Sequence, residues 1–249
     1  MQAIILAAGV GRRLQQAGGD KPKSLLSFGG KTLLQRHITN LQRAGVEVVC
    51  IVIGHQGELI EAALQEMRYD IDVETRRNPD YTLGSVVSLH HAAAVLQGGS
   101  DIILMDADVL YDFAVLARLL DSEHRNCLLL DEKFEPGDEP VKICVADGRI
   151  VEFRKQIDNN VVWDQQGESV GFFRFDAAMA VQLAQRVEYY VGNDLQQAPY
   201  EDVIRDLILQ QADRFNYENI TGLPWIEIDF PDDIERAQAI VLKQLGETE

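Results

Sequence analysis

The feature that most constrains the fold is an alternation between short apolar runs and longer segments with helical periodicity. Residues 1–6 and 47–53 are apolar runs that close on small residues, as buried parallel strands do. Between them, residues 32–44 place apolar side chains at helical spacing and stop before Gly45. The same alternation predicts helices over 57–67, 85–96 and 112–120, and strands over 72–75, 101–105 and 126–131. This half of the chain therefore predicts a mostly parallel sheet with helices on both faces.

The pattern of apolar residues changes in the second half of the chain, from about residue 135. Two strand-like runs, 141–146 and 149–153, flank an Asp147-Gly148 step and predict a β-hairpin with a tight turn. We further predict a strand over 168–175, helices over 177–190 and 200–210, a short strand over 226–229 and a closing helix over 232–245. No repeat or low-complexity linker divides the 249 residues, so we expect a single α/β domain over residues 1–249.

Net charge, the length of apolar runs and the placement of cysteines exclude several classes of protein. The formal net charge is -17, which makes the chain a poor general partner for nucleic acid or for an anionic membrane. We find no apolar run of membrane-spanning length and no pattern of a secretory signal, so we expect a cytoplasmic protein. Cys50, Cys127 and Cys144 each lie in an apolar, strand-like run, which favours buried reduced thiols over disulfides.

The sequence lacks the motifs of several common classes of enzyme. A GxxxxGKS phosphate loop and a GxSxG nucleophile elbow are both absent. The Gly9-Val10-Gly11 step begins like a dinucleotide fingerprint, but Leu14 stands where the third glycine belongs. The five histidines show no spacing typical of metal ligands. A dinucleotide oxidoreductase is therefore a weak alternative.

A glycine-rich, basic segment over residues 6–26, LAAGVGRRLQQAGGDKPKSLL, remains to be explained. Its small residues let the backbone approach a flat base and phosphates, and amides in such a loop can point at anionic oxygens. Arg13 and Lys23 add positive charge where a leaving pyrophosphate would gather negative charge, and Pro22 stiffens the chain beside Lys23. Arg12 and Lys21 complete a local basic cluster in an acidic chain, which could also be a solvated surface loop.

This segment resembles the LAAGxGxRL and DxPKxL signature of the nucleotidyltransferase family with a Rossmann-like fold. The match covers the spaced glycines and Arg13, Asp20, Pro22, Lys23 and Leu25, whereas Arg12 falls on a variable position. The resemblance implies a Rossmann-like, mostly parallel sheet flanked by helices, with a small hairpin and helical addition that binds the acceptor. It divides the chain into a nucleotide-binding half (1–133) and an acceptor-binding half (134–249), and it implies that the nucleotide contacts Leu6, Ala7, Ala8, Gly9, Gly11, Arg13 and Lys23.

A second segment, residues 78–89, resembles the family's second nucleotide loop. In that loop a small Gly-Ser or Gly-Thr step reads the edge of the base before a helix begins. Here the step is Gly84-Ser85, with Ser88 one turn further along the helix. An ordinary N-cap role for Ser85 stays open.

Two acidic segments resemble the family's magnesium site. Residues 102–108, ILMDADV, place Asp106 and Asp108 at a strand end, where an open parallel sheet faces its ligand. The resemblance assigns Asp108 to Mg²⁺ and groups Asp106 with the nucleotide-contacting residues, although Asp106 could instead cap the helix near Asp112 or support the site indirectly. Asp229, in Trp225-Ile-Glu-Ile-Asp229, resembles the second metal aspartate, with a cap of the last helix as its alternative.

Four segments bear on the branch of the family: DADVLYD (106–112), the basic hairpin end Phe153-Arg154-Lys155, GESVGFF (167–173) and the closing WIEIDFPDDIERA (225–237). Together they look most like the bacterial cytidylyltransferases that act on phosphocholine, inositol phosphate or small phosphonates. This resemblance implies CTP and a small phosphorylated acceptor as substrates, and it places Lys155 on the acceptor phosphate, although a plain surface lysine is the alternative. We expect the acceptor to contact Lys155, Glu168, Gly171, Tyr200, Glu201 and Asp202. Tyr200 could instead pack in the core while Glu201 and Asp202 favour a helix N-terminus.

The resemblance implies Mg²⁺-assisted in-line displacement at the α-phosphorus, with Arg13, Lys23 and Lys155 as the catalytic cations. A sugar-1-phosphate nucleotidyltransferase is the runner-up, since that branch shares the first motif. A nucleotide-binding regulatory module is the non-enzymatic alternative, because it would keep the glycines and Lys23 without paired metal carboxylates. The oligomeric state stays open, with a homodimer as one option.

Overall fold

The computed structural model describes residues 1–16, 21–135, 137–238, 243 and 245–246. Asp20 of the first signature lies outside these residues, as does most of the segment after residue 238. The strands are β1 (Gln2–Ala7), β2 (Ser27–Phe28), β3 (Lys31–Thr32), β4 (Val48–Ile53), β5 (Asp72–Arg77), β6 (Ile102–Asp106), β7 (Val109–Tyr111), β8 (Cys127–Asp131), β9 (Lys142–Ala146), β10 (Arg149–Arg154), β11 (Gln165–Phe175), β12 (Asn216–Asn219) and β13 (Trp225–Glu227). The helices are α1 (Arg12–Gln16), α2 (Leu33–Arg43), α3 (Gly57–Glu66), α4 (Ser85–His91), α5 (Ala93–Leu96), α6 (Phe113–Leu120), α7 (Ala177–Gly192), α8 (Tyr200–Gln210) and α9 (Pro231–Arg236).

A central sheet organises the described chain in the order β10-β9-β11-β6-β1-β4-β5, and β8 and β12 extend it beside β11. Strand β1 is parallel to β4 and β6, and β4 is parallel to β5. Strand β11 runs antiparallel to β6, β8 and β9 and so joins the second half of the chain to the same sheet. The predicted α/β class with a mostly parallel sheet is confirmed in the first half, and β11 makes the whole sheet mixed.

The sheet is buried on both faces. Successive residues of a strand point to opposite faces, and Ile4 of β1 enters one core while Ala3 and Ile5 enter another. The predicted burial of Cys50, Cys127 and Cys144 is confirmed, and all three are free thiols. Within the described part of the chain, no helix has the length and apolar character needed to cross a membrane.

Local capping explains where several helices begin. Thr32 Oγ1 accepts from the Gln35 amide at the start of α2, and Asp112 Oδ1 accepts from the Ala114 amide at the start of α6. The predicted hairpin forms as β9 and β10, with Asp147 and Gly148 both at positive φ, as a tight turn demands.

Three features of the chain differ from the sequence prediction. The helix predicted over 85–96 is divided into α4 and α5 at buried Ala92, where the backbone tightens to bonds between residues three apart. The closing helix begins at Pro231, one residue before the predicted start at residue 232. Strands β2, β3, β7 and β12 were not predicted, because each has only two to four residues and depends on a partner elsewhere in the chain.

Candidate active site

Three carboxylates meet at the carboxyl end of β6. Asp108 lies in the turn between β6 and β7, and β7 pairs with β13 so that Val109 faces Glu227. The Ile228 amide donates to the Asp108 carbonyl at 2.9 Å, which brings the residue after it, Asp229, beside the same turn. One carboxylate oxygen from each of Asp108, Glu227 and Asp229 lies within 4.8 Å of the other two. The pairing of β7 with β13, which lie more than a hundred residues apart in the sequence, therefore brings the three carboxylates together.

The donor set of this centre fits a hard divalent cation. Mg²⁺ takes oxygen ligands and is commonly bound by one or two carboxylates together with substrate phosphates. Burial and the charges of Asp108 and Asp229 raise the pKa of Glu227 well above its ordinary value. A negative charge on Glu227 is therefore disfavoured by burial and by repulsion from the other two carboxylates. A bound cation would relieve this repulsion.

Lys23 joins two of these carboxylates. Its Nζ donates to Asp108 Oδ2 at 2.8 Å and to Asp229 Oδ1 at 2.5 Å. Burial disfavours the charge of Lys23, but Asp108 and Asp229 outweigh that effect and raise its pKa, so the side chain stays an ammonium. Gly11 makes room for it: its φ is +63°, and an added Cβ would lie 3.3 Å from Lys23 Cγ.

Arg13 approaches the centre from α1. Its NH1 donates to Asp229 Oδ2 at 2.9 Å, and its guanidinium lies 4.7 Å from the centroid of the Phe230 ring. Asp229 does not cap α9, because Oδ2 of Asp233 accepts from the amides of both Asp229 and Phe230. The alternative role of Asp229 as a helix cap is therefore wrong, and its carboxylate is bound to cations instead.

Glu139 links Arg13 to Lys155 and was not predicted from the sequence. Its Oε1 is 2.5 Å from Arg13 NH2, and its Oε2 is 3.5 Å from Lys155 Nζ. The bond from Arg13 is the largest cause of a lowered pKa for Glu139, so this carboxylate is ionised. Two cations that were expected to receive phosphate groups thus share one acidic partner.

Asp106 ends β6, two positions before Asp108, and is bound by Tyr200. The Tyr200 hydroxyl donates to Asp106 Oδ2 at 2.7 Å. Gly171 has a φ of +76°, and an added Cβ would lie 2.3 Å from the same oxygen, so only glycine allows this approach. Burial raises the pKa of Asp106 well above its ordinary value. Asp112 caps α6 with its own side chain, so the proposed capping role of Asp106 is wrong.

A cleft of about 790 Å³ opens beside the acidic centre. Acidic and aromatic side chains line much of it, and so do Lys155, Glu168, Gly171, Tyr200 and Glu201 of the predicted acceptor residues. Burial raises the pKa values of Glu168 and Glu201 to about 7. Asp202, the next residue of α8, is not among the lining residues.

The first predicted nucleotide loop leaves β1 next to the acidic turn. Leu6 pairs with Asp106 in the parallel register of β1 and β6. Ala7 and Ala8 are buried, whereas Gly9 is exposed and an added Cβ there would meet no atom within 4 Å. The loop therefore begins at the carboxyl edge of the sheet, and its contact with a nucleotide remains a prediction.

The second predicted nucleotide loop packs within the protein. Gly84 is the N-cap of α4, and the Ser85 hydroxyl accepts from the Tyr200 amide at 2.9 Å. Ser88 is buried, and its hydroxyl accepts from Asn78 Nδ2 at 3.0 Å. The structure thus gives both hydroxyls partners in the protein, and Ser85 is not the N-cap of its own helix.

Comparison with known proteins finds a matching domain model and similar proteins. Residues 3–159 match the MobA-like NTP transferase domain. The chain is 28% identical to the "Bifunctional IPC transferase and DIPP synthase" of Rubrobacter xylanophilus over 246 residues, which cover 96% of the chain and 52% of that protein. It is 24% identical to the "CMP-5'-(3-aminopropyl)phosphonate synthase" of Streptomyces rubellomurinus over 241 residues, with coverage of 95% and 38%. The chain spans about half or less of the length of these two relatives.

A solved structure has the same fold. The inositol-1-phosphate CTP transferase from T. maritima superposes with a TM-score of 0.78 at 20% identity, covering 99% of this chain and 95% of that one. The Rossmann-like fold expected from the sequence motifs is therefore confirmed.

Proposed function

The chain belongs to the family of MobA-like NTP transferase domains, and from that premise we propose that it transfers CMP from CTP to a small phosphorylated or phosphonate acceptor and releases pyrophosphate. One observation carries this proposal: Asp108, Glu227 and Asp229 converge with Lys23 and Arg13 beside an acidic and aromatic cleft, which Glu227 and Asp229 line. The names of the relatives, which specify CMP or CTP chemistry on inositol phosphate and on an aminoalkyl phosphonate, support the choice of nucleotide and acceptor. We propose that residues 1–249 act as one domain in the cytoplasm.

We assign the metal to Asp108, Glu227 and Asp229, with Mg²⁺ as the proposed ion. When bound, Mg²⁺ would neutralise charge on the α-phosphate and on the acceptor oxygen. Two of these carboxylates, Asp108 and Asp229, hold Lys23 in place, and Asp229 also holds Arg13. Both cations can thereby balance the charge of the triphosphate and of the departing pyrophosphate.

The acceptor needs no general base in this mechanism. An oxygen of a phosphate or phosphonate is already ionised near neutral pH, so the protein has only to position it in line with the α-phosphorus. Lys155 lines the cleft, and it can hold the acceptor's phosphate once its ion pair with Glu139 is broken. Positioning and electrostatics then supply most of the rate acceleration.

The character of the cleft favours an acceptor with a positive end. Glu201 and Glu168 line the cleft with the ring of Trp225, and an aromatic face attracts an ammonium group. Since burial raises the pKa of both carboxyl groups to about 7, a cation bound between them would also favour their ionised form. We therefore propose phosphocholine or an aminoalkyl phosphonate as the acceptor class. Inositol phosphate could use the same carboxylates as hydrogen-bond acceptors, whereas glucose 1-phosphate would place no positive charge among them.

A pyrophosphate-release screen tests this proposal. Each of CTP, UTP, ATP and GTP is incubated with Mg²⁺ and with each of phosphocholine, 3-aminopropylphosphonate, inositol 1-phosphate and glucose 1-phosphate. We expect pyrophosphate to depend on both partners and to be greatest with CTP and a cationic acceptor. Binding of a nucleotide without pyrophosphate release in any mixture would favour a regulatory module instead.

A further inference from the structure

The segment Gly84-Ser85 is packed against the residues that lead into α8. The Gly84 amide donates to the Gln196 carbonyl at 2.8 Å, and the Val86 amide donates to the Ala198 carbonyl at 3.3 Å. A Cβ on Gly84 would lie 2.2 Å from the Ala198 carbonyl oxygen. Two backbones from opposite halves of the chain therefore touch here, and only glycine permits the contact.

Ser85 supplies a cap that α8 lacks. The first amides of a helix have no partner within the helix, and the side chain of the N-cap residue usually provides one. The N-cap of α8 is Pro199, which makes no such side-chain bond. The Ser85 hydroxyl accepts from the amide of Tyr200, the first residue of α8, at 2.9 Å across 115 positions of sequence. Ser85 thus caps a helix other than its own.

The residue that Ser85 holds reaches the reaction centre with its side chain. Tyr200 lines the cleft, its ring meets Phe173 edge-on with centroids 6.0 Å apart, and its hydroxyl donates to Asp106 Oδ2 at 2.7 Å. Further along α8, Arg205 donates to Glu152 of β10 at 2.5 and 2.7 Å. Ser85 therefore holds the start of α8, next to the cleft, while the bonds of Arg205 to Glu152 and of Asp206 to Arg186 and Tyr190 hold the helix further along.

We propose that Ser85 is a positioning residue for the acceptor cleft, acting through Tyr200 and Asp106, and that its hydroxyl does not read the base of the nucleotide. This inference rests on the proposed function, because it states that Ser85 affects the binding of the acceptor and not the binding of CTP. The hydroxyl's contact is with Tyr200, and the neighbouring amides of Gly84 and Val86 are bonded to the same segment of the acceptor half. Loss of the hydroxyl should then loosen the start of α8 and weaken acceptor binding while CTP binding is unchanged.

Hydrogen exchange tests the structural step without any substrate. In Ser85→Ala, the Tyr200 amide should exchange about tenfold or more faster than in the wild-type protein, and Ser85→Thr, which keeps a hydroxyl, should restore protection. Ser88→Ala is the matched control, because Ser88 is on the same helix but its hydroxyl bonds to Asn78. It should leave the Tyr200 amide unchanged. Equal protection of that amide in Ser85→Ala and wild type would overturn the inference.

Steady-state kinetics test the functional step. With CTP and phosphocholine, Ser85→Ala should raise the KM for phosphocholine by about three- to tenfold, the size expected for one hydrogen bond, and should leave the KM for CTP within about twofold. The preference for CTP over UTP should not change, and Ser85→Thr should recover the wild-type KM. A raised KM for CTP, or a relaxed choice of base, would overturn the inference. If the wild-type protein turns over no acceptor, the proposed function fails, and the exchange experiment still decides whether Ser85 holds Tyr200.

Discussion

The Nζ atom of Lys23 lies 2.8 Å from Oδ2 of Asp108, and the same nitrogen lies 2.5 Å from Oδ1 of Asp229. One ammonium therefore connects the basic first loop to two carboxylates contributed by distant parts of the chain. Since those carboxylates raise the pKa of Lys23, its charge persists at neutral pH. The arrangement keeps a fixed positive charge beside the position proposed for the metal and the triphosphate.

The first prediction compares Lys23 with its exposed neighbour Lys21. Lys23→Ala should lower turnover by about a hundredfold or more, because it removes a preorganised charge at the reacting phosphates. Lys21→Ala should change turnover by no more than about twofold, since Lys21 is exposed. Turnover is measured by pyrophosphate release under saturating substrates. Equal losses in the two variants would show that the charge at position 23 has no special role.

The second prediction concerns the acidic centre. Asp108→Asn, Glu227→Gln and Asp229→Asn should each lower turnover by about a hundredfold or more, while Asp106→Asn should be milder. The carboxylates lie at a turn and a strand end, so circular dichroism should show each variant folded. If one of the three keeps near-normal turnover with saturating Mg²⁺, that residue is not a ligand.

The third prediction concerns Glu139, which is bound by both Arg13 and Lys155. Because its carboxylate competes with substrate phosphates for these cations, Glu139→Gln should lower the KM for CTP or acceptor by about two- to fivefold, the scale of an exposed ion pair. Asp138→Asn is the matched control, since it removes the same charge one residue away. A higher KM in Glu139→Gln would mean that Glu139 orders the two cations for substrate instead.

The fourth prediction concerns stability against pH. Burial and the nearby Asp131 raise the pKa of Glu168 from 4.5 to about 7 in the folded protein. The folded state then keeps a proton that the unfolded chain loses, so this residue makes the protein less stable as pH rises from about 4.5 to 7. Glu168→Gln should raise the Tm at pH 8, and the gain should shrink towards pH 5.

Thermal unfolding of wild type and variant across that range, without substrates, checks the sign. Glu123→Gln, which changes an exposed carboxylate, is the control. An equal Tm of the Glu168 variant and wild type at pH 8, or a gain that grows towards pH 5, would contradict the assigned protonation.

Much of the fold could be predicted because strands and helices leave periodic patterns in the sequence. The predicted helix over 200–210 coincides with α8, and the Asp147-Gly148 turn forms where it was predicted. The meeting of Asp108 with Asp229 was inferred from family resemblance, and the pairing of β7 with β13 supplies its physical cause.

Other parts of the site could not be predicted, because they depend on contacts between distant segments. Glu227 stands two positions before Asp229, and this spacing could have suggested a third ligand. Glu139 lies in a loop with no pattern that links it to Arg13. The sequence also suggested a base contact or a local cap for Ser85, whereas its hydroxyl caps α8. Nothing in the local sequence of α4 indicates that partner.

The most direct test of the central claim is one competition mixture analysed by mass spectrometry. The protein, Mg²⁺ and equal concentrations of CTP and UTP are combined with equal concentrations of phosphocholine, 3-aminopropylphosphonate and glucose 1-phosphate. We predict that the main product is a CMP adduct of one of the two cationic acceptors, formed together with pyrophosphate. A product dominated by a nucleoside-diphosphate hexose, or the absence of any CMP adduct, would contradict the account.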